Sequence, residues 1–209
     1  QSSENNGYTK SGDGTLTLSG TNTYTGATSI SDGTLAISNA TGLGTTAGAT
    51  TVASGGSLSI SGGITVAEAI TINGTGHSSG GAIIFTANNN TYSGAITLGA
   101  TSTIVSTGGA QTISGATNGG QALTITANGN LIISGAVTNL SSYAVTTTTG
   151  SQTFSANVTT TGNQTYTAAG GIVTSGARTF DSSGGTVNFV SALSGNHNVT
   201  VTGNAEIDG

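Results

Sequence analysis

Proline, cysteine, methionine and tryptophan are all absent from the 209-residue sequence. Without cysteine there can be no disulfide framework and no thiolate metal site, while the compartment stays open. Without proline every residue keeps a backbone N–H, as a sheet that pairs on both edges requires. Charge is scarce too. Charged residues make up 4% of the chain, against roughly 25% in ordinary globular domains. The only cations are Lys10 and Arg178, and the formal net charge is −5. Nucleic acid is excluded as a partner, because its recognition needs a basic footprint. No hydrophobic run approaches the ~20 residues of a membrane span, and no signal peptide is recognisable. Residue 1 is Gln, which reads as a processed chain or as part of a longer one.

What is present is glycine, 36 residues of it, with abundant Thr and Ser. Polar low complexity of this kind is also the composition of disorder. Yet 33% of the residues are hydrophobic. They are mostly Ile, Val, Leu and Ala alternating with polar residues, the pattern of half-buried strands. No stretch carries a 3.6-residue period, so little or no helix is expected.

The alternation repeats along the chain. Gly14-Thr15-Leu16-Thr17-Leu18 returns as Gly33-Thr34-Leu35-Ala36-Ile37, and Asp13 returns as Asp32. Asn22-Thr23-Tyr24-Thr25-Gly26-Ala27 returns as Asn90-Thr91-Tyr92-Ser93-Gly94-Ala95. Gln111-Thr112-Ile113, Leu131-Ile132-Ile133 and Gln152-Thr153-Phe154 then follow one another at a nearly constant interval. A short glycine-punctuated strand recurring about every 20 residues is the signature of a coil stacked on itself. The expected fold is all-β: a parallel β-helix (β-solenoid) of about ten coils of roughly 20 residues. Residues 1–11 read as a polar entry segment or linker and 12–209 as one solenoid domain. Within it, 12–37 is the best-defined repeat and 39–48 a loop insertion. Leu16, Leu18, Ile30, Leu35, Ile37, Leu58, Ile60, Ile70, Ile72, Ile113, Ile125, Ile133, Val199 and Val201 are expected to point inward.

The segment GDGTLTLSGTNTYTGATSISDGTL resembles the passenger-associated transport repeat of bacterial autotransporters. The stretches NNTYSGAITLGATSTIV, GSQTFSANVTTTGNQTYTAAG and GGTVNFVSALSGNHNVTVTG resemble the degenerate repeats of haemagglutinin-like exoproteins and adhesins. These resemblances imply a right-handed coil, display on or release from a bacterial cell surface, and an adhesive, stalk or biofilm role. The partners they imply are a host or neighbouring cell surface, matrix glycans, or further copies of the chain joined laterally or end to end. No translocator barrel is present in the sequence.

Catalysis has little to draw on. Glycoside cleavage needs two carboxylates roughly 5 to 9.5 Å apart, and the acids are Glu4, Asp13, Asp32, Glu68, Asp181, Glu206 and Asp208. Asp13 and Asp32, one coil apart, would lie about 5 Å from each other. Their equivalent Asp-Gly-Thr settings read first as repeated turn residues, and second as candidate metal ligands. Asp181 with Glu206 or Asp208 is a comparable pairing. His77 and His197 fall about six coils apart, hence on the order of 29 Å, and each reads as a turn residue. No catalytic residue, and no cofactor, is expected. Tyr24, Tyr92, Phe154, Tyr166 and Phe180 occupy matching places in their repeats and read as core. One alternative is a flat array of Thr124/Thr126, Thr146/Thr148 and Thr165/Thr167, a surface resembling the ice-binding faces of some β-solenoids. A polysaccharide-acting β-helix enzyme is the other.

Overall fold

Every paired strand is parallel to its neighbour, and every neighbour comes from the next turn of the chain. The computed structural model describes residues 6–86 and 89–208. They form a parallel β-solenoid of about nine turns with a 21-residue coil spacing. Each coil passes along three faces. On the first face Tyr8 lies beside Thr28, Thr28 beside Thr50, and Thr50 beside Ile70. The second face stacks Leu16, Leu35, Leu58, Ile83, Ile104 and Ile125. The third stacks Val66, Tyr92, Ile113, Ile133, Phe154 and Thr174. Long strands such as Thr28–Ile37, Thr50–Ile60 and Ile96–Ser106 run round the corner between the first two faces, merging them into one 15-stranded sheet. The third face is a separate 7-stranded sheet.

Alternation decides which side chains fill the interior. Ile30, Val52 and Ile72 stack on one another and are fully buried, as are Leu35, Leu58 and Ile83. Of the expected inward residues, Leu16, Leu18, Val199 and Val201 pack only partly against this core, because they belong to the outermost coils; the others are buried. Phe154 on the third face, Tyr166 on the second and Phe180 on the first meet at the axis, with ring centroids 5.0 to 5.4 Å apart. Tyr92, Phe154, Tyr166 and Phe180 are therefore core, as expected, whereas Tyr24 is only half-buried, its hydroxyl 2.9 Å from Thr28 Oγ1. Their places do not match, however: Tyr92 and Phe154 share the third face, while Tyr166 and Phe180 do not.

Corners need residues without side chains. In the Ser-Gly-Ala corner, Gly94, Gly115 and Gly135 stack so tightly that a Cβ on Gly115 would lie 1.7 Å from the Gly94 carbonyl oxygen. Inward-facing Gln side chains brace other corners. Gln152 Nε2 donates to the Val145 and Thr167 carbonyls at 3.0 and 2.7 Å, and Gln164 Nε2 donates to the Asp181 carbonyl at 2.6 Å. Buried carbonyls that would otherwise lose water are satisfied this way.

Two excursions leave the regular path. Residues 39–48 make turns on the third face, held by Gly42 N–H to Asn39 O at 2.9 Å and Thr45 N–H to Tyr24 O at 2.9 Å. Between the first and second faces of the fourth coil, the chain adds residues before Ile83, so that Ile70 pairs with Ile96, 26 positions on. This excursion contains the one short helical turn among the described residues, His77–Ser79.

Candidate functional site

The Asp-Gly-Thr corner of the second coil sits directly on its counterpart in the first. Gly33 has φ +67°, and a Cβ there would lie 2.3 Å from Gly12 O, 2.6 Å from Gly14 O and 2.6 Å from Lys10 Nζ. Only glycine fits, and the close stacking brings the preceding carboxylates together. Asp32 Oδ1 accepts a hydrogen bond from Gly33 N–H at 2.8 Å. That N–H, before any other cause, holds Asp32 below the usual carboxylate range; desolvation opposes it, and the contacts with Asp13 and His77 add to the lowering.

His77 reaches this corner from the fourth coil. Its Nδ1 lies 3.7 Å from Asp32 Oδ1. One ligand atom from each of Asp13, Asp32 and His77 falls within 4.8 Å of the other two. The reach is allowed by the coil in between. Asp32 is in register with Gly55 and Gly33 with Gly56, so no side chain stands between the His77 loop and Asp32. The loop is pinned by Ser57, whose Oγ accepts from His77 N–H at 2.8 Å and donates to Gly81 O at 2.7 Å. Coil spacing makes Asp13 and Asp32 neighbours, and the structure brings them together. His77 is a turn residue as expected, but it is half-buried and belongs to the same cluster.

Beneath the cluster lies Lys10, in an interior column with Ile30, Val52 and Ile72 and only 6% exposed. Its ammonium donates to Ser11 O, Gly12 O and Asp32 O at 3.2, 2.5 and 3.0 Å. The cation therefore ties the backbones of the first two coils together.

Glu68 is the second unusual group. It is 3% exposed, and Oε1 accepts from Thr50 Oγ1 at 2.6 Å while Oε2 is buried with no hydrogen-bond partner. Burial pushes its carboxyl up to about 7, with the Thr50 hydrogen bond opposing. Tyr92 Oη donates to the Glu68 carbonyl at 2.8 Å, and desolvation raises the Tyr92 phenol as well. The signal for Glu68 was its parity: in Val66-Ala67-Glu68-Ala69-Ile70 it shares the inward side with Val66 and Ile70.

The remaining acids do not gather. Asp181 lies beside Thr202 on the first face and Glu206 beside Asn188 on the second. Glu206 Oε2 accepts from Asn188 Nδ2 at 3.1 Å. The Arg178 guanidinium is bonded to the Ser175 and Ala177 carbonyls. Glu4 lies outside the described residues. For acid–base work on a glycosidic bond one carboxyl must stay protonated, and Asp32, in the close pair, is held in the opposite direction.

The threonine array is corrected by the register. Thr124 lies beside Ala144 and Thr126 beside Thr146, followed by Thr165 and Thr167. Ala144 interrupts the first column, and Thr148 lies past the strand end beside Asn128, to whose Oδ1 it donates at 3.4 Å. Only the column Thr126, Thr146, Thr167 is continuous. A two-column threonine face is not formed by these residues.

Residues 9–37 match the family model of the passenger-associated-transport-repeat. The matched segment is the stacked pair of coils that carries Lys10, Asp13 and Asp32. No curated protein and no solved structure matches the chain.

Proposed function

We propose that this chain is passenger material of an exported bacterial surface protein, working as a stiff β-helical stalk or contact surface. The observation that carries this reading is continuity. The transport repeat at residues 9–37 pairs in register with Thr50–Ile60, and the same coil runs on through Val199–Ile207. Nine steps of about 4.8 Å give a rod roughly 43 Å long. Most strands of its interior coils pair with one strand above and one below, which makes such a rod stiff along its axis.

The outside suits contact with other surfaces by many weak polar interactions. Its strands present Thr, Ser and Asn with very few charges, and hydroxyl and amide groups of this kind suit hydroxyl-rich matrix glycans or a polar cell surface. Self-association belongs to the same proposal: the strand Val199–Ile207 is paired on one side and leaves Ile207 61% exposed. A further coil there, of a longer chain or of a second copy, would cover it.

The test is display. The chain is fused ahead of a β-barrel translocator in a host cell that otherwise neither adheres nor clumps. Export of the folded, protease-resistant rod together with binding to cells or glycan-coated beads is the expected result. Export without any adhesion or clumping would leave a stalk and remove the contact role. Failure of export would remove the passenger reading.

A further inference from the structure

We propose that Asp13, Asp32 and His77 form a divalent-cation site, best matched to Zn²⁺, that clasps three coils at the first corner of the rod. This inference rests on the cluster's own geometry and stands apart from the passenger reading.

The donor set is two carboxylates and one imidazole. Zn²⁺ commonly takes three protein ligands of these types and completes its shell with water. A purely oxygen-seeking cation such as Ca²⁺ has no use for the imidazole. Atoms bound tetrahedrally to Zn²⁺ at ~2.1 Å stand about 3.4 Å apart. His77 Nδ1 and Asp32 Oδ1 are already at 3.7 Å, and all three ligand atoms lie within 4.8 Å of one another. Asp13 is the exposed member of the three, so its side chain is free to turn and close the remaining gap.

Electrostatics favour the same occupant. Two carboxylates facing one imidazole leave net negative charge at the corner even when the imidazole is protonated. The nearby ammonium of Lys10 points inward to three carbonyls. A dication outside the coil neutralises the pair directly. The second layer is also in place. Gly33 N–H orients the Asp32 carboxylate at 2.8 Å, and Ser57 Oγ fixes the His77 backbone at 2.8 Å. Such outer contacts set the aim of metal ligands. The bare notch at Gly55 completes the arrangement, because a Cβ there would come within 3.2 Å of Asp32 Oδ1.

The consequence is mechanical. Asp13 is in the first coil, Asp32 in the second and His77 in the fourth, so one ion would bridge about three coil steps, roughly 14 Å of rod. The matched transport repeat would then be locked to the coils that follow it.

Zn²⁺ titration of the metal-free full chain, followed calorimetrically and by the histidine side-chain NMR signals, tests this. Expected are one saturable Zn²⁺ per chain, movement of the His77 ring signals while those of His197 stay in place, and at least a tenfold loss of affinity in both His77→Ala and Asp13→Asn. Asp13→Asn changes an exposed residue outside the His77 loop, so it separates loss of a ligand from disturbance of the loop. Absence of saturable uptake would overturn the proposal. So would Zn²⁺ affinity unchanged in His77→Ala, or His197 signals moving in place of those of His77.

Discussion

Glu68 holds one carboxylate oxygen 2.6 Å from Thr50 Oγ1 and buries the other with no partner. Burial pushes its carboxyl up to about 7, above the ordinary glutamate value of 4.5. A raised carboxyl pKa means that the folded chain binds the proton more tightly than the unfolded chain. The stability attached to Glu68 is therefore fully present below about pH 4.5, falls as pH rises through that window, and is lost above about pH 7. Glu68→Gln removes the titration. Urea unfolding between pH 5 and 8 is expected to show wild type losing stability relative to Glu68→Gln, by about 1–3 kcal/mol at pH 8, the range for an unsatisfied buried polar group. Parallel pH profiles for the two proteins would show that the carboxylate is not desolvated.

Gly115 carries the tightest corner. A methyl group there would sit 1.7 Å from Gly94 O, and that oxygen is backbone, so the coils themselves must separate. Gly115→Ala is expected to cost 3 kcal/mol or about that, the upper range for overpacking. In a solenoid the damage should also be local, weakening the interface between two neighbouring coils. Hydrogen exchange should then find lost protection around Tyr92 to Ala116 and near-native protection at Ile30 to Ile60. Gly20→Ala is the control: nothing lies within 4 Å of its added Cβ, and its stability should be unchanged or slightly raised.

Alternation and the recurring interval made most of the fold legible. Both are local consequences of a chain that must bury every second side chain and return to the same place each turn. The Asp13–Asp32 contact was legible for the same reason. His77 was not, because it arrives through an excursion whose course the repeat does not dictate. The threonine columns went astray by small slips of register. Thr124 and Thr146 are 22 residues apart in the sequence, whereas the strand register advances 20, from Thr124 to Ala144. Coil intervals vary by a residue or more, and each such slip moves a column or turns its side chains to the other side of the sheet. Glu68 and Lys10 show the converse. Their parity placed them inward, but residue type pointed to the surface, and in this solenoid parity prevails.

Phe180 should be among the costly aromatic residues to truncate. It touches Phe154, Tyr166 and Phe189 at centroid distances of 5.4, 5.3 and 5.1 Å, and so joins all three faces at one level. Phe180→Ala is expected to lose about 3–5 kcal/mol, as buried aromatic truncations do. Near-UV circular dichroism should lose much of its aromatic signal while the far-UV strand signal persists. Tyr166→Phe keeps the ring and loses only the hydrogen bond to Gln164 Oε1 at 2.8 Å, so about 1 kcal/mol is expected.

Lys10 supplies the sharpest test of how the transport repeat is held together. A cation in an apolar column is tolerable only if its desolvation is offset by hydrogen bonds. The ammonium has three, to Ser11 O, Gly12 O and Asp32 O, and the last crosses from the first coil to the second. Lys10→Met preserves the length and apolar body of the side chain, continuing the column of Ile30, Val52 and Ile72, but removes all three donors. Charge-assisted hydrogen bonds contribute about 1.5–3 kcal/mol each when intact, and relief of the buried charge offsets part of that. A net loss of about 1–2 kcal/mol is expected, confined to the first two coils because coils interact mainly with their neighbours. Hydrogen exchange should show it as faster exchange at Thr34 and Ile30, with no change at Ile125 or Val145. Equal or greater protection in Lys10→Met would mean that the column prefers an apolar residue. The lysine would then contribute no stability to the repeat.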